Sequence, residues 1–276
     1  MKKFSAALLI VLWALCGAAF AGGNPARIGY LARLNTTEEA FHAIISNSMK
    51  TAGWSLLSDR HELDGVHFYD SLTSMQMALD ARRLDEIALP DMTAEYLLGA
   101  NPSYEVCCVA KTRSPMSLAM GFRKDEKELR ERVNATLKEM DDDWTLAELQ
   151  SAYIHDWDGN QKPVRFETFE GAATLKVAVT GDLPPVDFIA ADGTPAGFNT
   201  ALLSELARRM CVNVKLVSID SGARSAALAS GNVDVIFWYE TSQDLTWNYD
   251  APENVSLSIP YYKWHTFLHL RRKAAD

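Results

Sequence analysis

Short apolar runs alternate with stretches whose apolar residues recur at helical spacing, and this alternation comes in two blocks along the 276-residue chain. In the first block the pattern predicts strands over 27–31, 66–69 and 86–89, and helices over 35–49, 71–82 and 93–98. Leu72, Met75, Met77 and Leu79 mark the apolar positions of the middle helix only loosely. Two strand candidates follow at 105–110 and 117–122. A helix over 125–140 then carries Leu129, Val133, Leu137 and Met140 at helical spacing, and a short helix covers 145–153. Residues 155–171 are polar, hold Gly159 and Pro163 and show no stripe, which reads as a linker. The alternation then restarts, with strands at 175–179, 213–217, 233–238 and 266–270 and helices at 200–210 and 221–230. Strands separated by helices predict an α/β fold in which each block is a mainly parallel sheet flanked by helices.

The chain opens with Lys2 and Lys3, an apolar run over 6–15 and the small-x-small triplet Ala19, Phe20, Ala21. These are the parts of a cleavable secretory signal peptide over 1–21, shorter than a membrane span. Cys16 follows Leu15 rather than a small residue, so lipidation is not expected. About 255 residues would remain, enough for two lobes with real cores. The formal charge of −9 becomes more negative without the two lysines, which argues against nucleic acid as a partner.

Cys107, Cys108 and Cys211 are too few and wrongly spaced for a metal site. The adjacent pair, Cys107 and Cys108, would form a strained bridge, and burial in an apolar strand suits both; a link from Cys211 to either stays open. The six histidines are scattered, and His265 and His269 fall on a predicted strand, where an i,i+4 pair is too far apart to chelate easily. No nucleophile elbow, P-loop or dinucleotide-binding glycine pattern occurs. No catalytic residue, metal or cofactor is therefore expected.

The segment 175–188 (LKVAVTGDLPPVDF) is followed by Asp192 and Gly193, by Gly197, Phe198 and Asn199, by 231–237 (GNVDVIF) and by 258–262 (SIPYY). In that order these motifs resemble the opening lobe of the amino-acid-type (family 3) periplasmic solute-binding proteins that serve ABC importers. Residues 122–129 (FRKDEKEL), with Val133, Asn134 and Leu137, are similar to the family's closing segment. The resemblance implies a two-lobed type II periplasmic-binding-protein fold with two crossover hinge strands. It also implies a circularly permuted lobe order, because the opening lobe stands last. The expected organisation is a signal peptide over 1–21, the family's second lobe over 27–116, crossover and closing helices over 117–155, a linker over 156–173 and the first lobe over 174–276. Exposed, neighbouring termini make such a rearrangement compatible with an unchanged fold.

Ligands of open α/β sheets bind beyond the carboxyl ends of strands, which selects four loops. The first holds Asp182 and Phe188, where the family lines its cleft; a rigid turn and a core phenylalanine would also explain them. The second is read as a loop after a strand at 233–237 and holds Trp238, Tyr239, Glu240 and Thr241. Here the family places an arginine that pairs with the ligand's α-carboxylate, a task suited to a planar fork. This chain has no arginine between Asp234 and Tyr262. Trp238 and Tyr239 could pack on a ligand or fill the core. The third loop holds Asn35, Thr36 and Thr37 at a predicted helix start, suited to a carboxylate or to plain capping. The fourth holds Asp91, which the resemblance assigns to a ligand's α-ammonium and which could also cap a helix. Asp70, Ser71 and Ser74 read as helix capping.

The resemblance thus implies a monomeric, periplasmic binder that captures an amino acid or related amine for an ABC permease in the membrane. Two alternatives stay open. One is a cyclohexadienyl or arogenate-type dehydratase on the same fold, in which Glu240 in an apolar pocket would have a raised pKa. The other is a ligand sensor without a transport role.

Overall fold

The computed structural model describes residues 26–31, 65–156, 164–242 and 251–274. The predicted helix at 35–49 and the signal segment lie outside these residues. The chain divides into two compact units. Among the described residues, unit 1 comprises 26–31, 65–116, 242 and 264–274, and unit 2 comprises 117–156, 164–241 and 251–263.

Unit 1 has the sheet order β2-β1-β3-β11-β4, from β1 (Ile28–Leu31), β2 (Val66–Tyr69), β3 (Glu86–Pro90), β4 (Tyr104–Arg123) and β11 (Tyr262–Arg272). β1 is parallel to β2, with Ile28 opposite Val66, and to β3, with Gly29 opposite Ile87. β11 lies antiparallel to β3, pairing Leu268 with Leu89. Every residue of β3 is buried, as expected of a strand covered on both faces. Ile87 and Leu89 pack on one side with Met75, Leu79 and Leu97, whereas Ala88 packs on the other with Ile28, Tyr30 and Val66. Burying a leucine-sized side chain this way contributes about 1.5–3 kcal/mol.

Helix α1 (Leu72–Asp80) starts at Ser71, whose side chain accepts from the Ser74 amide at 3.2 Å. This is the capping role that the sequence suggests. Leu72, Met75 and Leu79 are buried, but Met77 is exposed because it falls on the opposite face of the helix. The helix lies so close to β1 that a Cβ on Gly29 would come 2.6 Å from Leu84 Cδ1 and 3.0 Å from Met75 Cγ. Helix α2 (Asp91–Ala100) begins directly after β3, two residues earlier than the pattern predicts.

β4 is one strand of 20 residues where the sequence predicts two. Pro115 and the polar residues before it break the apolar pattern without breaking the extended backbone. The chain passes from one unit to the other within β4 and again within β11.

Unit 2 has the order β4-β9-β5-β8, from β5 (Thr174–Val179), β8 (Asn213–Ser218) and β9 (Val235–Ser242), and β10 (Val255–Leu257) pairs antiparallel with β4. β5 is parallel to β8 along its whole length and to β9. Each unit therefore places its first parallel strand between its second and third, and adds a strand that also enters the other unit. Helix α3 (Lys127–Asp142) buries Val133, Leu137 and Met140 as its stripe predicts, with Leu129 half-buried. Helix α4 (Thr145–Gln150) continues as one wider π turn (Ser151–His155). In the predicted linker, residues 164–173 are coil fastened to β8. The Asn213 side-chain amide donates to the carbonyls of Phe169 and Ala172 at 3.0 and 3.2 Å. Helix α5 (Phe198–Met210) buries nine of its residues, including Phe198, Leu202 and Leu206. A two-strand hairpin of β6 (Phe188–Ile189) and β7 (Pro195–Ala196) precedes it.

Candidate functional site

At the carboxyl end of β5 the chain turns through Thr180 and Asp182 and re-pairs at Leu183 and Asp187 before β6. Asp182 is half-buried, and its Oδ2 accepts the Ser221 hydroxyl at 2.6 Å. Asp187 is fully buried, and one oxygen, Oδ2, accepts three hydrogen bonds. They come from the Thr180 amide (3.1 Å), the Thr180 hydroxyl (3.0 Å) and the Trp238 indole N–H (3.0 Å). Burial pushes the Asp187 carboxyl above its ordinary range, although these bonds pull the other way.

A carboxyl group raised in the native state opposes folding as it ionises, so stability falls as pH rises from 3.8 through its native pKa. Asp187→Asn should remove that component. Chemical denaturation between pH 4 and pH 8 is then expected to show a flatter decline for the variant, and superimposable profiles would contradict this reading.

Trp238, Tyr239 and Glu240 do not form a loop. They lie inside β9, which runs on to Ser242, and all three are fully buried, with Thr241 half-buried. The β-branched and aromatic run continues the strand because each ring finds packing on a covered sheet. Tyr239 lies against the backbone of Gly121 in β4, where an added Cβ would come 2.2 Å from its ring. Phe188 is half-buried in β6, opposite Ala196.

Sequence reasoning missed Arg224, the first residue of helix α6 (Arg224–Ala229). It is fully buried. Its Cζ lies 4.2 Å from the Trp238 ring centroid and 4.9 Å from that of Tyr239. Its Nη1 donates to the Trp238 carbonyl at 2.7 Å and its Nε to the Ser221 carbonyl at 3.1 Å. The one available signal was a lone arginine in the small-residue run 221–230 ahead of a strand rich in aromatics.

In unit 1, Asp91 is the first residue of α2, half-buried, and its Oδ1 accepts the Met92 amide at 2.8 Å. Asn35, Thr36 and Thr37 lie outside the described residues. A separate buried cluster joins β3, β4 and β11. His269 Nδ1 stands 3.2 Å from Glu86 Oε1, and the Cys107 thiol donates to Glu86 Oε2 at 3.0 Å. Burial pushes the Glu86 carboxyl up, but His269 beside it and the bond from Cys107 outweigh this and hold the pKa below the usual value. Burial, together with Glu86, pushes the Cys107 thiol up to about 12, so it is an inert neutral donor. His265 is exposed. Cys107 and Cys211 are free thiols, so Cys211 is linked to neither neighbouring cysteine. No group of His, Cys, Asp and Glu able to hold a metal occurs among the described residues, and none of their helices is long and apolar enough to cross a membrane.

Asp182, Ser221, Arg224 and Trp238 are thus brought together in unit 2, at the ends of β5 and β8 and along β9. Asp91 follows the carboxyl end of β3 in unit 1. Residues 175–275 match the model of the bacterial extracellular solute-binding proteins, family 3. No curated protein matches the chain. Among solved structures, the chain is similar to NikA from Staphylococcus aureus in complex with Ni(L-His)2. The identity is 10% and the TM-score 0.43, over 75% of this chain and 57% of NikA. It is also similar to the periplasmic aliphatic sulphonate binding protein SsuA from Escherichia coli, with 14% identity and a TM-score of 0.42 over 90% of this chain and 64% of SsuA. The methionine binding protein MetQ gives 11% identity and a TM-score of 0.41 over 90% of this chain and 83% of MetQ. The chain spans less than two thirds of the length of NikA and of SsuA. Residues 175–275 are thus similar to the bacterial extracellular solute-binding proteins of family 3, and both units are α/β, each with a parallel trio of strands.

Proposed function

We propose that this protein is an extracytoplasmic solute-binding protein that captures a small amine-bearing ligand, an amino acid or a related amine, for an ABC permease. The family 3 match over residues 175–275 is the observation that carries this reading. Asp91 and Asp182 support the choice of an amine, since each sets a half-buried carboxylate at a strand's carboxyl end, where α/β folds recruit ligands. An ammonium group satisfies such a carboxylate with charge and hydrogen bonds together. The reading further takes the lobe order as permuted, because the segment matching the family stands last and a unit of the same strand order precedes it. It takes residues 1–21 as an export signal and the periplasm as the location.

The test is a thermal-shift screen of unfolded, ligand-stripped and refolded protein against amino acids, polyamines and small organic acids. A true ligand present at about 100 times its Kd stabilises the native state by about 2.7 kcal/mol, which should separate it from the rest of the panel. Stabilisation by organic acids alone would overturn the amine assignment. A panel with no responder at all would overturn the solute-binding reading.

A further inference from the structure

We propose that unit 2 contains a guanidinium site built from two aromatic rings and two carbonyls, and that its permanent occupant is the chain's own Arg224. The Trp238 and Tyr239 rings face the guanidinium carbon at 4.2 and 4.9 Å, within the range at which a ring quadrupole attracts a cation. The carbonyls of Trp238 and Ser221 accept from Nη1 and Nε at 2.7 and 3.1 Å, on two different edges of the planar fork. Arg224 is fully buried, so the contacts replace its hydration shell.

The surroundings are constructed to hold this group in place. The Trp238 indole N–H is fixed by Asp187 and Thr180 at 3.0 and 3.1 Å, which sets the plane of the ring. Tyr239 is backed by Gly121, where any side chain would strike the ring. Ser221, whose carbonyl receives Nε, is held in turn by Asp182 through its hydroxyl at 2.6 Å. A cage of this composition would ordinarily be read as a receptor for a cationic solute. Here the chain supplies the cation, from the first residue of the helix that leads into β9. An outside ligand cannot stack on the faces of Trp238 and Tyr239 that Arg224 covers. What unit 2 offers to a solute therefore comes from groups such as Asp182 and not from these two ring faces.

The cage is defined by Arg224 and its own contacts, so the test can fail without touching the binding function, and the reverse also holds. Arg224→Ala should leave a vacancy shaped for one planar cation. Millimolar methylguanidinium is then expected to raise the Tm of the full-length variant by about 2–4 °C, with methylammonium at equal concentration well below that. The unaltered protein, its site filled, should shift by less than about 0.5 °C. A folded variant that ignores methylguanidinium would overturn the proposal, as would an equal shift in the unaltered protein. Should Arg224→Ala fail to fold, the unaltered protein decides by NMR. The Nε–H of Arg224 should exchange with solvent at least about 100-fold more slowly than those of exposed arginines, and exchange at the exposed rate would overturn the proposal.

Discussion

Replacing His269 with leucine should destabilise the protein by about 1–3 kcal/mol, because it leaves the buried Glu86 carboxyl facing an apolar side chain on one oxygen, with the Cys107 thiol donating to the other. Both side chains are almost wholly enclosed, at 0% and 3% exposure, and they stand 3.2 Å apart between β11 and β3. The loss should appear as a lower denaturation midpoint at pH 7. The double variant with Glu86→Gln should recover part of it, since an amide needs no counter-charge. The pH dependence gives a sharper signature. In the unaltered protein Glu86 titrates below its ordinary 4.5, so its contribution is complete above that value and is lost as pH falls through the lowered pKa. Without His269, burial should dominate and raise the native pKa. The sign then reverses, and stability should drain away as pH rises through the raised value. An unchanged midpoint with an unchanged pH profile would show that the pair has no energetic role.

Asp91→Ala should weaken binding of an amine ligand by at least about 30-fold. Truncating one partner of a desolvated, hydrogen-bonded charge pair costs about 2–5 kcal/mol. The fold should survive. Asp91 opens α2 and accepts the Met92 amide at 2.8 Å, a first-turn contribution of about 0.3–1 kcal/mol. Calorimetry on ligand-free protein should therefore show a large change in Kd with a small change in Tm. Asp91→Asn keeps an acceptor for the Met92 amide and removes the charge, so it isolates the ionic part. Equal affinities for all three proteins would remove Asp91 from the site.

The sequence made some of this architecture legible and hid the rest for identifiable reasons. The strands at 66–69 and 86–89, the cap at Ser71 and the stripe through Val133, Leu137 and Met140 follow from local periodicity, which a single segment carries by itself. The unbroken β4 was not legible, since its continuity depends on partners more than a hundred residues away, such as β10 and β11. The same holds for β9. Trp238, Tyr239 and Glu240 look like the start of a loop until β4 and β5 are seen on either side of the strand. Arg224 was hidden most deeply. An arginine in a short helix reads as a solvated surface residue, and only the rings 14 and 15 positions later make it a core residue. The placement of Asp182 and Asp91 at strand ends was legible because a pattern can locate strand ends, yet the Ser221 contact to Asp182 was not.

The placement of β11 has a consequence for how the chain reaches its native state. β3 ends at Pro90, but β11, the neighbour that completes its pairing, begins only at Tyr262. At the usual ~5–20 residues per second of synthesis, the first-made strands wait roughly 10–35 s for that partner. Throughout that interval the β3 edge that will receive β11 lacks its native neighbour, and unpaired strand edges invite pairing with other chains. The unit that holds β3 therefore closes only after β5, β8 and β9 of unit 2 have been made. A nascent chain of this design gains from any factor that keeps it extended until β11 has emerged.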